Sequence, residues 1–294
     1  MAVNQHAQAQ MKKVLASIDD LKPLPTTVTR TLDLMEEPDV AIGQIVSALS
    51  VDQALAARLL KLANSAYYST GYPATTLYEV VMKLGFRRTK NVLLTLSYSS
   101  LLGRRVAGYN LGHGELWKHS IAVAATAQRL SERLAYPAPD EAYIAGLLHD
   151  IGKLTLDQFF KVNWERLLEA GRSRQLSLIE AEERLLGMDH AQVGGELARK
   201  WDLPPVLVEA IAYHHTPTFA NESPQLAAIV HVANVVCLRL GIGLPDSVFL
   251  PGPSSEALRL LSLTPYEVNM LTEEFKDRLD AYLETETLMP VANH

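Results

Sequence analysis

The sequence predicts an all-α fold, a helical bundle preceded by an N-terminal helical subdomain. Three observations carry this. Apolar residues recur at helical spacing, as in Leu55, Leu59 and Leu62 with Ala56 and Ala63 beside them. No stretch sustains the period-two alternation of a half-buried strand. No Asn-Gly or Asp-Gly pair joins two strand-like runs.

Taken in chain order, Asp52 is expected to cap the helix that carries Leu55. Ser120 to Leu134 is rich in Ala, Val and Leu and ends near Pro137. Ala142 to Leu148 follows Asp140, which is expected as its cap. Ser177 to Leu186 reads as a helix with Glu180, Glu182 and Glu183 mostly facing water, stopped by Gly187. Pro204-Pro205 opens a helix that runs into His214, another follows Pro224, and the last spans Pro265 to Leu283 behind a Thr264 cap. Gly103 to Gly114 contains four glycines and no apolar stripe. It is the expected boundary between a subdomain at 1–105 and a second at 106–245, with a cleft between them and a C-terminal helical tail at 246–294.

Composition narrows the function classes. Apolar residues make up 48% and charged residues 20% of 294 positions, which excludes a disordered chain. The formal net charge of −6 gives no general attraction to nucleic acid or to an anionic membrane. Arg87, Arg88 and Lys90, and likewise Arg104 and Arg105, read as solvated helix faces or ends. Cys237 is the single cysteine, flanked by Val235, Val236 and Leu238, and reads as a buried, inert thiol. It fits a reducing, cytoplasmic setting. The N-terminus has no apolar signal core. The most apolar long stretch, Leu226 to Leu244, is interrupted by His231, Asn234 and Arg239 and is not expected to span a membrane.

The histidines carry the chemistry. Of nine in the chain, His119, His149, His190, His214, His215 and His231 fall within 113 residues, apart from the termini and the Gly-rich boundary. Helical phase aims most of them inward: His119 shares a face with Leu116 and Val123, and His190 with Val193 and Leu197. Buried imidazoles must be hydrogen-bonded or metal-bound, because an unpaired buried polar group costs roughly 2–7 kcal/mol. One such histidine is ordinarily a satisfied core residue. Several of them beside the His149-Asp150 pair form a ligand set suited to zinc, iron, manganese, nickel or cobalt.

The segment LLHDIGKL resembles the signature of the HD metal-dependent phosphohydrolase superfamily. That resemblance assigns His119 as the first metal ligand and His149 with Asp150 as the doublet. It assigns His190, His214 and His215 as the added histidines of two-metal members. The final aspartate falls at Asn234, in HVANVV. Asparagine offers a neutral oxygen, so metal affinity and the activation of a bound water should both fall. Glu115, one turn before His119, is either a replacement carboxylate or an ordinary first-turn glutamate. Lys153 is either a phosphate-holding point charge or a surface lysine.

The N-terminal half is more specific. LKPLPTTVTRTLDLMEEPDVAIGQIVSALSVDQALAARLLKLANSAYY is similar to the opening of HDOD, the HD-related output domain. Its hallmarks are Pro23-Leu24-Pro25, Asp52, Asn64-Ser65, Tyr67-Tyr68 and the later Leu84-Gly85 step; Gln53 departs from a common proline. Asn64 and Ser65 read by themselves as a helix C-cap. Tyr67, Tyr68 and Tyr72 are either a recognition surface or core. The resemblance implies an HD-like helical bundle and a stand-alone signal-transduction module. Such a module would bind a signalling partner or a small nucleotide-like ligand and would be non-catalytic, with a degenerate divalent-metal site. The alternative is a phosphohydrolase acting on a nucleotide or cyclic dinucleotide, with Asp150 and Lys153 in catalytic roles.

Overall fold

Helix boundaries follow the punctuation in the sequence. The structure, a computed structural model, describes residues 24–65, 72–160, 162–243 and 252–287, with the side chains of 277, 278, 280–282 and 284–287 outside that description. It divides into two units, one built on Leu102–Lys276, the other on Lys22–Leu101 together with the residues from 277 on.

In the smaller unit α1 (Thr26–Glu36), α2 (Ile42–Leu49) and α3 (Gln53–Ala63) pack in succession. Asp52 caps α3 as expected, its side chain accepting from Leu55 N at 3.0 Å. Asn64 is the C-cap, and it does more. Its amide donates to Ala74 O and accepts from Ala74 N, both at 2.7 Å, so one side chain ties the end of α3 to Ala74. The long helix α4 (Leu77–Leu102) breaks at Gly85, where φ is 71° and ψ 169°. That backbone region disfavours side chains, which explains a glycine after Leu84. Pro23, Tyr67 and Tyr68 lie outside the described residues. Tyr72 is 95% exposed and does not pack in a core.

The larger unit is helical too, and no strand occurs among the described residues beyond one isolated bridge, Val106 to Leu111. A short 3-10 turn (Ala107–Tyr109) precedes α5 (Glu115–Arg133), α6 (Pro139–Leu148), α7 (Ile151–Phe160), α8 (Trp164–Arg174), α9 (Leu178–Leu186), α10 (His190–Lys200) and α11 (Pro205–Ala212). After a second 3-10 turn come α12 (Pro224–Arg239), α13 (Ser255–Leu261) and α14 (Pro265–Thr287). Helix α5 lies along α6 and α12, and α10 along α7 and α11. Every residue of α12 from Leu226 to Leu238 is buried, His231 and Asn234 included, which is why the helix is apolar on all its faces apart from those two. No helix among the described residues is long and apolar enough to cross a membrane. Cys237 is fully buried, and burial pushes its thiol up to about 12.

The expected caps Asp52 and Thr264 and the expected stop Gly187 hold at three helices, and Ser177, read as helical, turns out to be a cap as well. Ser177 and Glu180 form a reciprocal capping box on α9, and Gly187 ends it at φ 80°. Thr264 and Glu267 do the same on α14. At α6 the expectation fails. The helix starts earlier, with Ala138 as N-cap and Pro139 in the first turn, so Asp140 lies inside the helix. Proline's fixed φ pre-organises that first turn. A larger correction concerns Glu182, expected to face water. It is fully buried, because it lies one turn after buried Leu178 on the inward face of α9.

Candidate metal centre

The cluster forms where helix ends of the larger unit converge. His119 comes from the second turn of α5, His149 and Asp150 from the junction of α6 and α7, His190 from the first position of α10, and His214 and His215 from just beyond α11. His119, His149, Asp150, His190 and His214 are all buried, and His215 is half-buried. The close approach that joins them is made at Gly152. A Cβ there would stand 1.9 Å from His190 O and 2.7 Å from Gly194 N, so only glycine lets α7 meet α10 this closely.

Asp150 is the centre of the arrangement. Its Oδ2 lies 3.4 Å from both His119 Nε2 and His149 Nε2, and its Oδ1 lies 3.2 Å from His190 Nε2. His190 Nε2 is 3.1 Å from His215 Nε2, and the rings of His214 and His215 stand 4.1 Å apart between centroids. Ligand atoms bound at ~2.1 Å to one ion stand ~3–3.5 Å from each other, the spacing seen here. Two groups emerge whose donor atoms lie within 4.8 Å of one another: His119, His149 and Asp150, and His190, His214 and His215.

The imidazoles are oriented for the task. His119 Nδ1 donates to Ile242 O at 2.9 Å, His149 Nδ1 to Gly146 O at 2.8 Å and His214 Nδ1 to Ile211 O at 2.8 Å. A carbonyl only accepts, so each ring carries its proton on Nδ1 and presents the Nε2 lone pair inward. Burial, reinforced by the neighbouring imidazoles, drives His214 and His215 well below the ordinary histidine range, and burial takes His149 to about 3. These rings are therefore neutral donors at pH 7. His190 differs. Burial works to lower it, but the charge of Glu182 and the hydrogen bonds that the ring donates to Asp150 and Glu182 outweigh burial and raise it to about 9.

The donor set fits a divalent transition metal. Buried atoms without a hydrogen-bond partner include His149 Nε2, His214 Nε2 and Asn234 Oδ1. Such orphans cost roughly 1–3 kcal/mol each unless something satisfies them, and a cation satisfies lone pairs of this kind together.

The remaining sequence candidates separate cleanly. Asn234 is buried on α12, one turn after His231. His231 uses both ring nitrogens, Nδ1 toward His214 O at 2.9 Å and Nε2 accepting from Ser254 N at 3.0 Å. It is a strut for the His214 backbone and has no lone pair to give. Glu115 is exposed and accepts from Gly112 N, which settles it as a first-turn glutamate. Lys153 is no surface lysine: it is 5% exposed, and its Nζ lies 2.5 Å from Asp150 Oδ2. Two residues escaped the sequence reading. Glu182 accepts from His190 N at 2.9 Å and faces His190 Nδ1 at 2.7 Å, and Tyr109 donates its hydroxyl to Glu182 at 2.7 Å. Glu182 shares helical phase with Leu178, a usable signal. Tyr109 sits in a Gly-rich stretch with no periodicity to betray it.

Comparison with known proteins agrees with this architecture. The chain is similar to an uncharacterized protein of Treponema pallidum (strain Nichols), 29% identical over 238 residues, which cover 79% of this chain and 46% of the relative. It is also similar to ribonuclease Y of Clostridium perfringens, 34% identical over 119 residues, which cover 40% of this chain and 17% of that enzyme. The chain thus spans less than half the length of either relative. Among solved structures, an HDOD domain protein of unknown function from Geobacter sulfurreducens matches with a TM-score of 0.77 at 25% identity, covering 95% of this chain and 98% of that one. The HDOD domain pattern itself matches residues 21–217, spanning the N-terminal hallmarks and the whole histidine cluster. With the all-helical structure and that match over most of its length, the chain belongs to the HDOD domain family.

Proposed function

We propose that this chain is a regulatory HDOD module whose histidine cluster holds a divalent transition metal without supporting efficient hydrolysis. His119, His149, Asp150, His190, His214 and His215 would hold the ion, with Asn234 contributing at most a neutral oxygen. Bound there, the metal would supply Lewis acidity and cross-link the ends of α5, α7, α10 and α11. The observation that carries this reading is the scarcity of negative charge. Asp150 is the one carboxylate in the two candidate ligand groups, and its Oδ2 already faces the Lys153 ammonium at 2.5 Å. A hydrolytic centre needs carboxylate to neutralise its ion and to hold an attacking water. An amide at 234 does neither, since it cannot accept a proton at neutral pH. In this reading the metal-bound domain presents itself to a signalling protein or a small nucleotide-like ligand.

A second reading, a phosphohydrolase, is favoured by one feature. The two donor groups flank a single carboxylate whose two oxygens face different histidines, an arrangement compatible with two ions. Lys153 would then hold substrate phosphate. The relation to ribonuclease Y points the same way in chemical class. The two readings part on one experiment. Protein purified without chelator is analysed for metal and assayed against cyclic dinucleotides and nucleotides. Bound metal with turnover far below the ordinary ~1–10³ s⁻¹ supports the regulatory module, and turnover within that range sinks it.

A further inference from the structure

We propose that Glu182 is the positioning carboxylate of this centre. It locks His190 through Nδ1 and supplies, one imidazole away from the ion, the negative charge that Asn234 does not. The inference rests on the metal-binding reading above and deepens it.

Three of the inward-facing histidines are held at Nδ1 by neutral backbone carbonyls, those of Ile242, Gly146 and Ile211. His190 alone among these four is backed by a carboxylate, Glu182 Oε2 at 2.7 Å. The same oxygen accepts from His190 N at 2.9 Å, so backbone and ring are fixed together at the first position of α10. The other oxygen accepts from the Tyr109 hydroxyl at 2.7 Å. Tyr109 is itself fully buried, and its neighbour Gly108 donates to Asp157 Oδ1 at 2.6 Å. Tyr109 thereby keeps Glu182 from swinging inward as a direct ligand.

A buried carboxylate without a countercharge is costly, several kcal/mol after relaxation. Glu182 is fully buried, and its ionic partner among the described residues is His190. A metal cation on the far side of that ring, at Nε2, would take the place of the second ring proton as the countercharge: Nε2 faces Asp150 Oδ1 at 3.2 Å, inside the cluster. The carboxylate then raises the electron density that the imidazole offers through Nε2, as anionic partners of metal-bound histidines do. The centre thus holds two carboxylates, one touching the ion and one acting through His190. This accounts for a site able to bind metal while lacking the carboxylate that would hold a water.

The test is a cobalt titration of the full chain, read by the visible absorption of the bound ion, for the parent and for Glu182→Gln, which keeps the size and removes the charge. The expected result is a 10–100-fold loss of affinity with displaced cobalt bands. Unchanged affinity and bands overturn the inference while leaving the metal reading intact. If Glu182→Gln does not fold, the parent loaded with zinc and labelled with nitrogen-15 at histidine answers instead. His190 carrying its proton on Nδ1 with Nε2 on zinc supports the proposal, and a proton on Nε2 overturns it. A parent that binds neither cobalt nor zinc removes the metal reading and this inference together.

Discussion

Asp150 Oδ1 stands 3.2 Å from His190 Nε2 although three helices, α7 to α9, lie between them in the chain. The contact depends on Gly152, where the backbones of α7 and α10 touch. Gly152→Ala would drive a methyl into His190 O and Gly194 N, backbone atoms that cannot rotate away. Overpacking of this kind costs typically 1–3 kcal/mol, and this site belongs at or above the upper end. Urea unfolding should show that loss, and metal content should fall with it. An alanine variant of parental stability would mean that α7 and α10 are free to separate.

Asp150→Asn removes the anion beside a buried ammonium. Lys153 would be left 5% exposed with its charge uncompensated. Breaking a buried pair from one side costs about 3–5 kcal/mol, so a loss of that order is expected in chemical denaturation. Adding Lys153→Met should recover much of it, since the double substitution leaves no orphan charge. Neither variant should retain metal. If Asp150→Asn keeps its metal, the carboxylate is no ligand.

Asn234→Asp should tighten metal binding by about tenfold, equivalent to ~1.4 kcal/mol, by restoring a charge to the centre. Isothermal titration with manganese or cobalt reads it directly. Hydrolysis of a cyclic dinucleotide appearing only in this variant would identify the amide as the residue that silences the site. Metal affinity that does not move would place Asn234 outside the coordination sphere.

Chelation should destabilise the larger unit. A metal present at a hundred times its dissociation constant adds about 2.7 kcal/mol to the folded state, because the unfolded chain has no assembled site. A thermal scan before and after removal of metal, and again after cobalt is restored, should show Tm fall and recover. A Tm indifferent to both steps would argue against a preformed site.

Asn64→Ala offers a contrast in the smaller unit. It removes both 2.7 Å bonds to Ala74 and leaves that backbone without its partners. A cost of about 1–3 kcal/mol is expected, with metal content unchanged. Loss of metal in this variant would show that the two units are energetically coupled.

The sequence by itself determined the helices and much of the cluster. Caps at Asp52, Ser177 and Thr264 are local, because a side chain three residues from an orphan N–H needs no tertiary partner. The inward phases of His119 and His190 and the His149-Asp150 doublet were legible for the same reason: periodicity and adjacency are properties of the chain. Tertiary structure alone decided which atoms meet. Glu182 reads as a water-facing glutamate until α9 folds over His190 and Tyr109 arrives from another part of the chain. Lys153 reads as a surface lysine or a phosphate grip until packing buries it to 5% exposure beside Asp150, three residues earlier. His231 has a ligand's phase, yet Ser254 and the His214 carbonyl consume both its nitrogens. Burial and the long-range partners, Tyr109 for Glu182 and the His214 carbonyl and Ser254 for His231, come from distant parts of the chain and exist only once the helices have packed, whereas the Nδ1 bonds of His149 and His214 are made three residues back along the chain.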